Sequence, residues 1–191
     1  MTSSQLRSAL TALAVGLGGC GGSSAGDVPD SVSSATIGGT VAARPFDSAA
    51  TALWIGKPDF AASTVLYLFE MPMTCSDMGA PGWDAAHGHT NQDLEMKLGL
   101  PTAGSTAAMT FTVRVHNPMG SVGPGEADVN HTFFAMSPQT PAETFATGGM
   151  VTLASKSPGK NATGTFHVTF SASESLEGTF DAAYCPDGVE P

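Results

Sequence analysis

Apolar residues recur at every second position in several stretches of this chain, and this period of two constrains its fold more than any other feature. In residues 93–100 the side chains of Leu94, Met96 and Leu98 alternate with charged or small neighbours. The same alternation occupies residues 109–115, 164–170 and 176–183. Successive side chains of a strand point to opposite faces, so the pattern predicts half-buried antiparallel strands.

Further strands are predicted at residues 37–42, 50–55, 64–71, 129–137 and 150–155. Both faces of residues 65–69 are apolar, which indicates a central strand. Only residues 74–78 favour a helical turn, with Thr74 as its cap. The last two strands predict a hairpin in which the triplet G-T-F recurs, at Gly164 and Gly178. About nine strands predict an all-β fold, an antiparallel β-sandwich, with a closed or partly open β-barrel as the alternative.

The N-terminal segment has the pattern of an export signal. Arg7 precedes an apolar run at residues 9–17, which is shorter than the roughly 20 residues that a membrane-spanning helix needs. The run ends in Leu-Gly-Gly-Cys, with the cysteine at position 20. This ending resembles the lipobox of bacterial lipoproteins, and the chain is similar to small exported lipoproteins of unassigned function.

The resemblance implies that the chain is cut before Cys20 and that this cysteine carries the lipid, including palmitate. Gly21 stands where an inner-membrane retention residue would be Asp, which implies the outer membrane, facing the periplasm or the surface. The sequence is thus divided into a lipoprotein signal peptide (1–19), a lipidated cysteine with a flexible tether (20–35) and a single β domain (36–191). The tether is rich in Gly and Ser and has little apolar surface to bury.

The chain has three cysteines, an odd number for an exported protein. Assigning Cys20 to the lipid leaves Cys75 and Cys185, and in an exported compartment we expect them to form a disulfide. A metal pair or a reactive thiol is the less favoured alternative, because neither cysteine lies in a C-x-x-C motif.

The charge balance restricts the partners of the chain. It has 7 Lys and Arg against 17 Asp and Glu, with a formal net charge of -10 and no basic block. Nucleic acids and anionic lipid headgroups both select clustered basic residues, so we expect neither as a partner. The expected partners are the membrane, through the N-terminal lipid, and a protein or glycan of the cell envelope.

A short His-Gly-His stretch is the main candidate for a metal site. His87 and His89 are two residues apart, so in extended chain both imidazoles face one side, and Asp84 or Asp93 offers a carboxylate. The alternative is a solvent-exposed turn, since a zinc or copper site usually has three or four ligands. No other cofactor is predicted.

A pair of methionines adds a second candidate. Met71 and Met73 flank a proline, and thioethers suit Cu(I). Methionine is frequent throughout the chain, however, and also fills gaps in cores. The alternative function is therefore a periplasmic copper- or zinc-binding protein.

Catalytic sequence motifs such as H-E-x-x-H and the P-loop do not occur in the chain. A hydrolase would need a deep cleft that brings His116, His131 or His167 beside acidic partners. The favoured prediction is a binding or structural module, without evident catalysis, anchored at the cell envelope by lipid.

Overall fold

Eleven strands and one short helix make up the described part of the chain. The computed structural model describes residues 33–47, 49, 51–56, 63–78, 91–102, 105–134, 142–156 and 160–185. The strands are β1 (Ser34–Val41), β2 (Arg44–Pro45), β3 (Thr51–Gly56), β4 (Ser63–Phe69), β5 (Asn91–Gly99), β6 (Met109–Val113), β7 (Glu126–Phe134), β8 (Ala142–Phe145), β9 (Gly148–Ser155), β10 (Ala162–Ser171) and β11 (Glu174–Tyr184), and the helix is α1 (Cys75–Met78).

Eight of the strands close into a barrel. Their order is β10-β9-β6-β7-β5-β4-β3-β11, and β11 pairs again with β10. The strands β1, β2 and β8 lie outside this ring, where β1 extends β11 and β8 pairs with β7. The all-β prediction is confirmed, and of the two predicted architectures the closed barrel is the one found. Pairing is antiparallel except at β3–β11 and β6–β7, which are short parallel contacts.

Large apolar side chains fill the interior of the barrel. They come from the alternate, inward-facing positions of the strands, as the period of two predicts. Among them are Trp54, Leu66, Leu68, Leu94, Met96, Leu98, Phe111, Leu153, Phe166 and Phe180. The predicted alternation in residues 93–100 is therefore confirmed, since Leu94, Met96 and Leu98 are all fully buried.

A second apolar layer covers the outside of β3 and β4. Here the outward-facing side chains of both strands, including Tyr67 and Phe69, pack against Met73. This layer explains why both faces of β4 are apolar, as expected of a central strand.

Helix α1 begins as predicted, because the backbone N–H and the hydroxyl of Thr74 both donate to Asp77 Oδ2 at 2.7 Å.

The predicted disulfide between Cys75 and Cys185 is present. It joins α1 to the residue that follows β11, closing a loop with a sequence separation of 110. Such a bond stabilises the fold mainly by restricting the unfolded chain, and the stabilisation is larger when the closed loop is longer. It therefore fastens the end of β11 to the outer apolar layer.

Three sequence expectations about the elements are wrong. Strands β2 and β8 were not expected, and both are shorter than the predicted ones. The alternation predicted for residues 109–115 runs past the end of the strand, because β6 ends at Val113 and Val115 is 70% exposed. Among the described residues, no helix is both long and apolar enough to cross a membrane.

The recurring G-T-F triplet has a packing cause in the terminal hairpin. Gly164 is paired with Phe180, and Phe166 is paired with Gly178. A Cβ at Gly164 would lie 2.5 Å from Phe180 Cζ, and one at Gly178 would lie 3.0 Å from Phe166 Cε1. Each phenylalanine ring therefore covers the glycine of the opposite strand, and each glycine leaves room for a ring.

We predict that Gly164→Ala lowers the free energy of unfolding by roughly 1–3 kcal/mol, as overpacking in a filled core does. Its methyl group would collide with the Phe180 ring and with the Thr152 carbonyl. Gly38→Ala is the matched control, because a Cβ at Gly38 meets nothing within 4 Å. Urea unfolding measures both variants, and equal stability of the two would contradict the packing argument.

Candidate functional site

The outer wall of the barrel carries a polar platform where β5, β7 and β8 lie side by side. Register places Asn130 of β7 between Glu95 of β5 and Phe145 of β8. Along the same strands, Thr132 lies between Asp93 and Glu143. These side chains face outward because their neighbours in sequence fill the interior. The platform thus gathers carboxylates from two strands around an amide.

His116 lies over this platform. It follows β6, and its ring stacks on Phe145 with the ring centroids 3.7 Å apart. Its Nδ1 lies 3.0 Å from Asp128 Oδ2, and Asp128 is only 8% exposed. In the neutral imidazole, a carboxylate at Nδ1 favours the tautomer with the proton on that nitrogen, in which Nε2 is an acceptor.

Arg114 holds the loop that carries His116. Its guanidinium donates to the carbonyls of Gly120 at 2.9 Å and Ser121 at 3.0 Å, and it lies 3.3 Å from Asp128. A turn at Asn117 supports the loop further, because its side-chain oxygen accepts from the Met119 N–H at 3.1 Å. The carboxylate of Asp128 is therefore held between two side chains of one loop.

These elements enclose a cleft of about 480 Å³. Its polar lining consists of Glu95, Lys97, His116, Asp128, Asn130 and Glu143. Phe145 and Pro118 supply its apolar part. Lys97 lies 3.1 Å from Glu95, so its positive charge is compensated within the lining. The cleft is consequently acidic.

Asp93 is buried at the edge of this platform. Burial raises the pKa of its carboxyl from 3.8 to about 7, and the negative charges of Glu95 and Glu143 also raise it, although a hydrogen bond from Thr132 opposes the rise. Asp93 thus lies on the charged face of β5 that the alternation predicts, but it is only 6% exposed.

His131 is on the other face of the same wall and is fully buried. Its Nε2 donates to Gln92 Oε1 at 3.0 Å, and Gln92 Nε2 donates to the Pro45 carbonyl at 2.9 Å. Its Nδ1 has no hydrogen-bond partner among the described residues. Burial and then the positive charge of Arg44 lower the pKa of His131 from 6.5 to about 4. His131 is therefore a neutral core residue and not one of the cleft histidines that a hydrolase would need.

The predicted metal-site residues are only partly within the described structure. His87 and His89, like Cys20 and Asp84, lie outside the described residues. Met73 is buried in the outer apolar layer, and Met71 packs against that layer. Within the described ranges, no group of three or more His, Cys, Asp or Glu side chains is placed to hold a metal ion. The metal site stays a prediction.

Of the three histidines considered for a hydrolase, the structure places only His116 in the cleft with acidic partners. His131 is in the core, and His167 is exposed on β10. Sequence reasoning missed Asp128, whose strand was predicted to begin after it, and Glu143, which lies on the unexpected strand β8. The charged alternation at Glu95 and Lys97 was the signal in the sequence, although it indicated an outer face and not a cleft.

Comparisons with known protein families, with curated proteins and with solved structures find no match for this chain. A His ring oriented by a buried carboxylate is the arrangement of a general base. The described lining offers no hydroxyl or thiol nucleophile beside it. The arrangement is thus suited to hydrogen bonding with a ligand.

The two buried ionisable groups predict opposite dependences of stability on pH. The pKa of Asp93 is higher in the folded than in the unfolded chain, so its contribution is lost as pH rises from 3.8 towards about 7. The pKa of His131 is lower in the folded chain, so its contribution is lost as pH falls from 6.5 towards about 4. Where the two ranges overlap, between about pH 4 and 6.5, the two effects on the free energy of unfolding offset each other.

Removing either group should expose the effect of the other. As pH rises from about 4 to 6.5, the free energy of unfolding of Asp93→Asn should rise by roughly 3 kcal/mol relative to that of the unchanged protein. Over the same range, the free energy of unfolding of His131→Gln should fall by a similar amount relative to the unchanged protein. Urea unfolding of the three proteins at several pH values measures the differences. Parallel curves for all three would contradict the assigned pKa shifts.

Proposed function

We propose that this chain is a lipid-anchored protein of the bacterial cell envelope that acts as a binding module, with the cleft on its outer wall as the ligand surface. A structural role in the envelope is compatible with the same anchor. The cleft between β5, β7 and β8 is the observation that carries the binding role.

The anchor is supported by the order of features in the first 35 residues. A short apolar run ends in a lipobox-like Leu-Gly-Gly-Cys at Cys20, and a Gly- and Ser-rich tether follows. Lipid on Cys20 would hold the chain at the membrane, since several acyl chains together give stable anchoring. The tether would leave the barrel free to meet its partner.

The packing of the barrel directs ligand binding to its outside. Trp54, Met96 and Phe111 are among the large side chains that fill its interior. Small barrels that bind ligands inside keep a cavity among such residues. The cleft on the outer wall is built instead on the paired strands β5, β7 and β8 and on the loop that carries His116, which Arg114 holds in place.

We expect Cys20→Ala to move the protein from the membrane fraction to the soluble fraction. The substitution removes the thiol that would carry the lipid and changes no residue of the described barrel. Membrane fractionation with immunoblotting measures the distribution, and Ser23→Ala in the tether is the control. An unchanged membrane fraction for Cys20→Ala would refute the anchor.

We also expect small polar fragments to bind in the cleft. A screen of cationic, anionic and neutral fragments against the full-length chain, followed by NMR of the imidazole and phenyl protons, should shift the signals of His116 and Phe145. These two rings are stacked at the cleft. The control signal is that of Trp54, whose side chain is buried in the barrel interior. If no fragment shifts the cleft signals, the binding role fails.

A further inference from the structure

We propose that residues 42–47, which contain the turn after β1 and strand β2, form an acid-sensitive strap that closes one end of the barrel and opens when His131 takes up a proton. None of these residues lines the cleft, so the opening of the strap does not depend on the proposed binding role. Three features of the molecule support the strap: the few contacts that hold it, the strained backbone of its turn and the surroundings of His131.

Few contacts hold the strap on the barrel. Strand β2 pairs with β1 through only two residue pairs. Two single hydrogen bonds add to them: the Phe46 N–H donates to the Gly39 carbonyl at 3.1 Å, and the Ala43 N–H donates to Glu174 Oε1 at 2.8 Å. The neighbouring strands β5 and β7, in contrast, pair through eight residue pairs. The strap is therefore the element near His131 that opens most readily.

Phe46 is the side chain that the strap places inside the barrel. It is fully buried, and its ring centroid lies 5.9 Å from that of His131. The ring of Phe170 lies edge-on to the same imidazole, with the centroids 6.3 Å apart. Opening of the strap would withdraw Phe46 and admit water to His131.

The turn of the strap is strained. Ala42 and Ala43 have φ angles of 50° and 58°, and no other non-glycine residue of the described ranges has a positive φ. A two-residue hairpin turn of this kind needs left-handed backbone at both positions, where Asn and Gly are the usual residues. Alanine there brings its Cβ close to the following carbonyl oxygen, which costs free energy. Opening of the strap would release this strain.

His131 is connected to the strap through one side chain. Gln92 Nε2 donates to the Pro45 carbonyl at 2.9 Å, and Gln92 Oε1 accepts from His131 Nε2 at 3.0 Å. The other ring nitrogen of His131, Nδ1, is buried and has no hydrogen-bond partner among the described residues. A proton on Nδ1 would therefore create a buried donor without an acceptor, which destabilises the closed form.

The charge of the strap opposes the same proton. Burial and then the positive charge of Arg44, a residue of β2, lower the pKa of His131 from 6.5 to about 4. The guanidinium of Arg44 is held over the Phe133 ring, 3.6 Å from its centre. Water and the departure of Arg44 would return the imidazole of an open strap towards its ordinary pKa. Acid therefore favours the open form.

Carboxyls on the surrounding elements do not compensate the charge of a protonated His131. Within the described chain, Arg44 is the only charged group that acts on its pKa. Glu70 accepts from a backbone N–H of β5 at 3.0 Å, and Glu174 accepts from the strap. Glu143 lines the cleft on the outer side of the wall. The carboxyl of Asp93, with a pKa of about 7, is already largely neutral where His131 titrates.

Amide hydrogen exchange of the full-length chain, followed by NMR, measures the opening. The readout is the protection factor, the exchange rate of an unfolded chain divided by the measured rate at the same pH. As pH falls from 6.5 to 4, the protection factor of the Phe46 amide should fall roughly a hundredfold, because the proton binds the open form more tightly.

The Cys185 amide is the internal control for this measurement. It donates to the Trp54 carbonyl where β11 meets β3. Its protection should stay nearly constant, because the effects of His131 and Asp93 on global unfolding offset each other over this range. An equal loss of protection at Phe46 and Cys185 would show global unfolding and overturn the proposal.

Two variants identify the group that takes up the proton. His131→Gln should abolish the pH dependence of the Phe46 protection factor, because glutamine does not titrate. Glu174→Gln is the matched control, since it removes a titratable group that also contacts the strap and should leave the dependence in place. If the dependence persists in His131→Gln, the proton acts elsewhere and the proposal is overturned.

A second pair of variants tests the strap without changing His131, and so applies even where His131→Gln fails to fold. Ala43→Gly should raise the Phe46 protection factor roughly fivefold at every pH, because glycine relieves the left-handed strain. Ala154→Gly should not raise it, since Ala154 is an exposed residue of β9 without a positive φ. Equal effects of the two variants would refute a strained strap.

Discussion

The closure of the barrel at β11 is the constraint on which the rest of the structure depends. One edge of β11 pairs with β10 along its length, and the opposite edge pairs first with β1 and then, in parallel, with β3. The contact with β3 is only two residue pairs, Ala183 with Leu53 and Tyr184 with Trp54. It is reinforced by the Cys185 N–H, which donates to the Trp54 carbonyl at 2.9 Å, and by the disulfide that follows. A short ladder can close the ring because packing on both faces and a covalent bond hold it in place.

Most of the strands could be predicted from the sequence, but the closure of the barrel could not. The period of two predicted the faces of the long strands correctly, because burial of one face must follow the pleat. It did not separate sandwich from barrel, since that choice depends on whether β11 meets β3 and β6 meets β7, and contacts of two residue pairs each leave no periodic pattern. Strand β8 was missed for a related reason. Its four residues, Ala142–Phe145, have no alternation to detect, and its position beside β7 comes from pairing with a distant part of the chain.

The cleft was less predictable than the fold because it is assembled from four segments. Glu95 and Lys97 stood out as a charged face, and His116 was considered as a base or ligand. Their meeting with Asp128 depends on the loop that Arg114 holds through two carbonyls, which no local pattern encodes. The burial of His131 was equally hidden. Its Thr and Asn neighbours in sequence suggested a polar face, but alternation places them outward and His131 inward, beside Phe46 and Phe170.

The wall formed by β5 and β7 separates the cleft from the interior of the barrel. Asp93 and Gln92 are consecutive residues of β5, so Asp93 lies on the outer side of the wall and Gln92 on the inner side. On the inner side, His131 and Gln92 form a chain of hydrogen bonds that ends at the Pro45 carbonyl of β2. On the outer side, Asp93 and Thr132 adjoin the acidic lining. The pKa of each buried ionisable group is shifted towards its neutral form by the same main cause, the removal of water from a tightly paired wall. The wall that carries Glu95 and Asn130 on its cleft side and holds His131 and Gln92 on its inner side is therefore one strand pair.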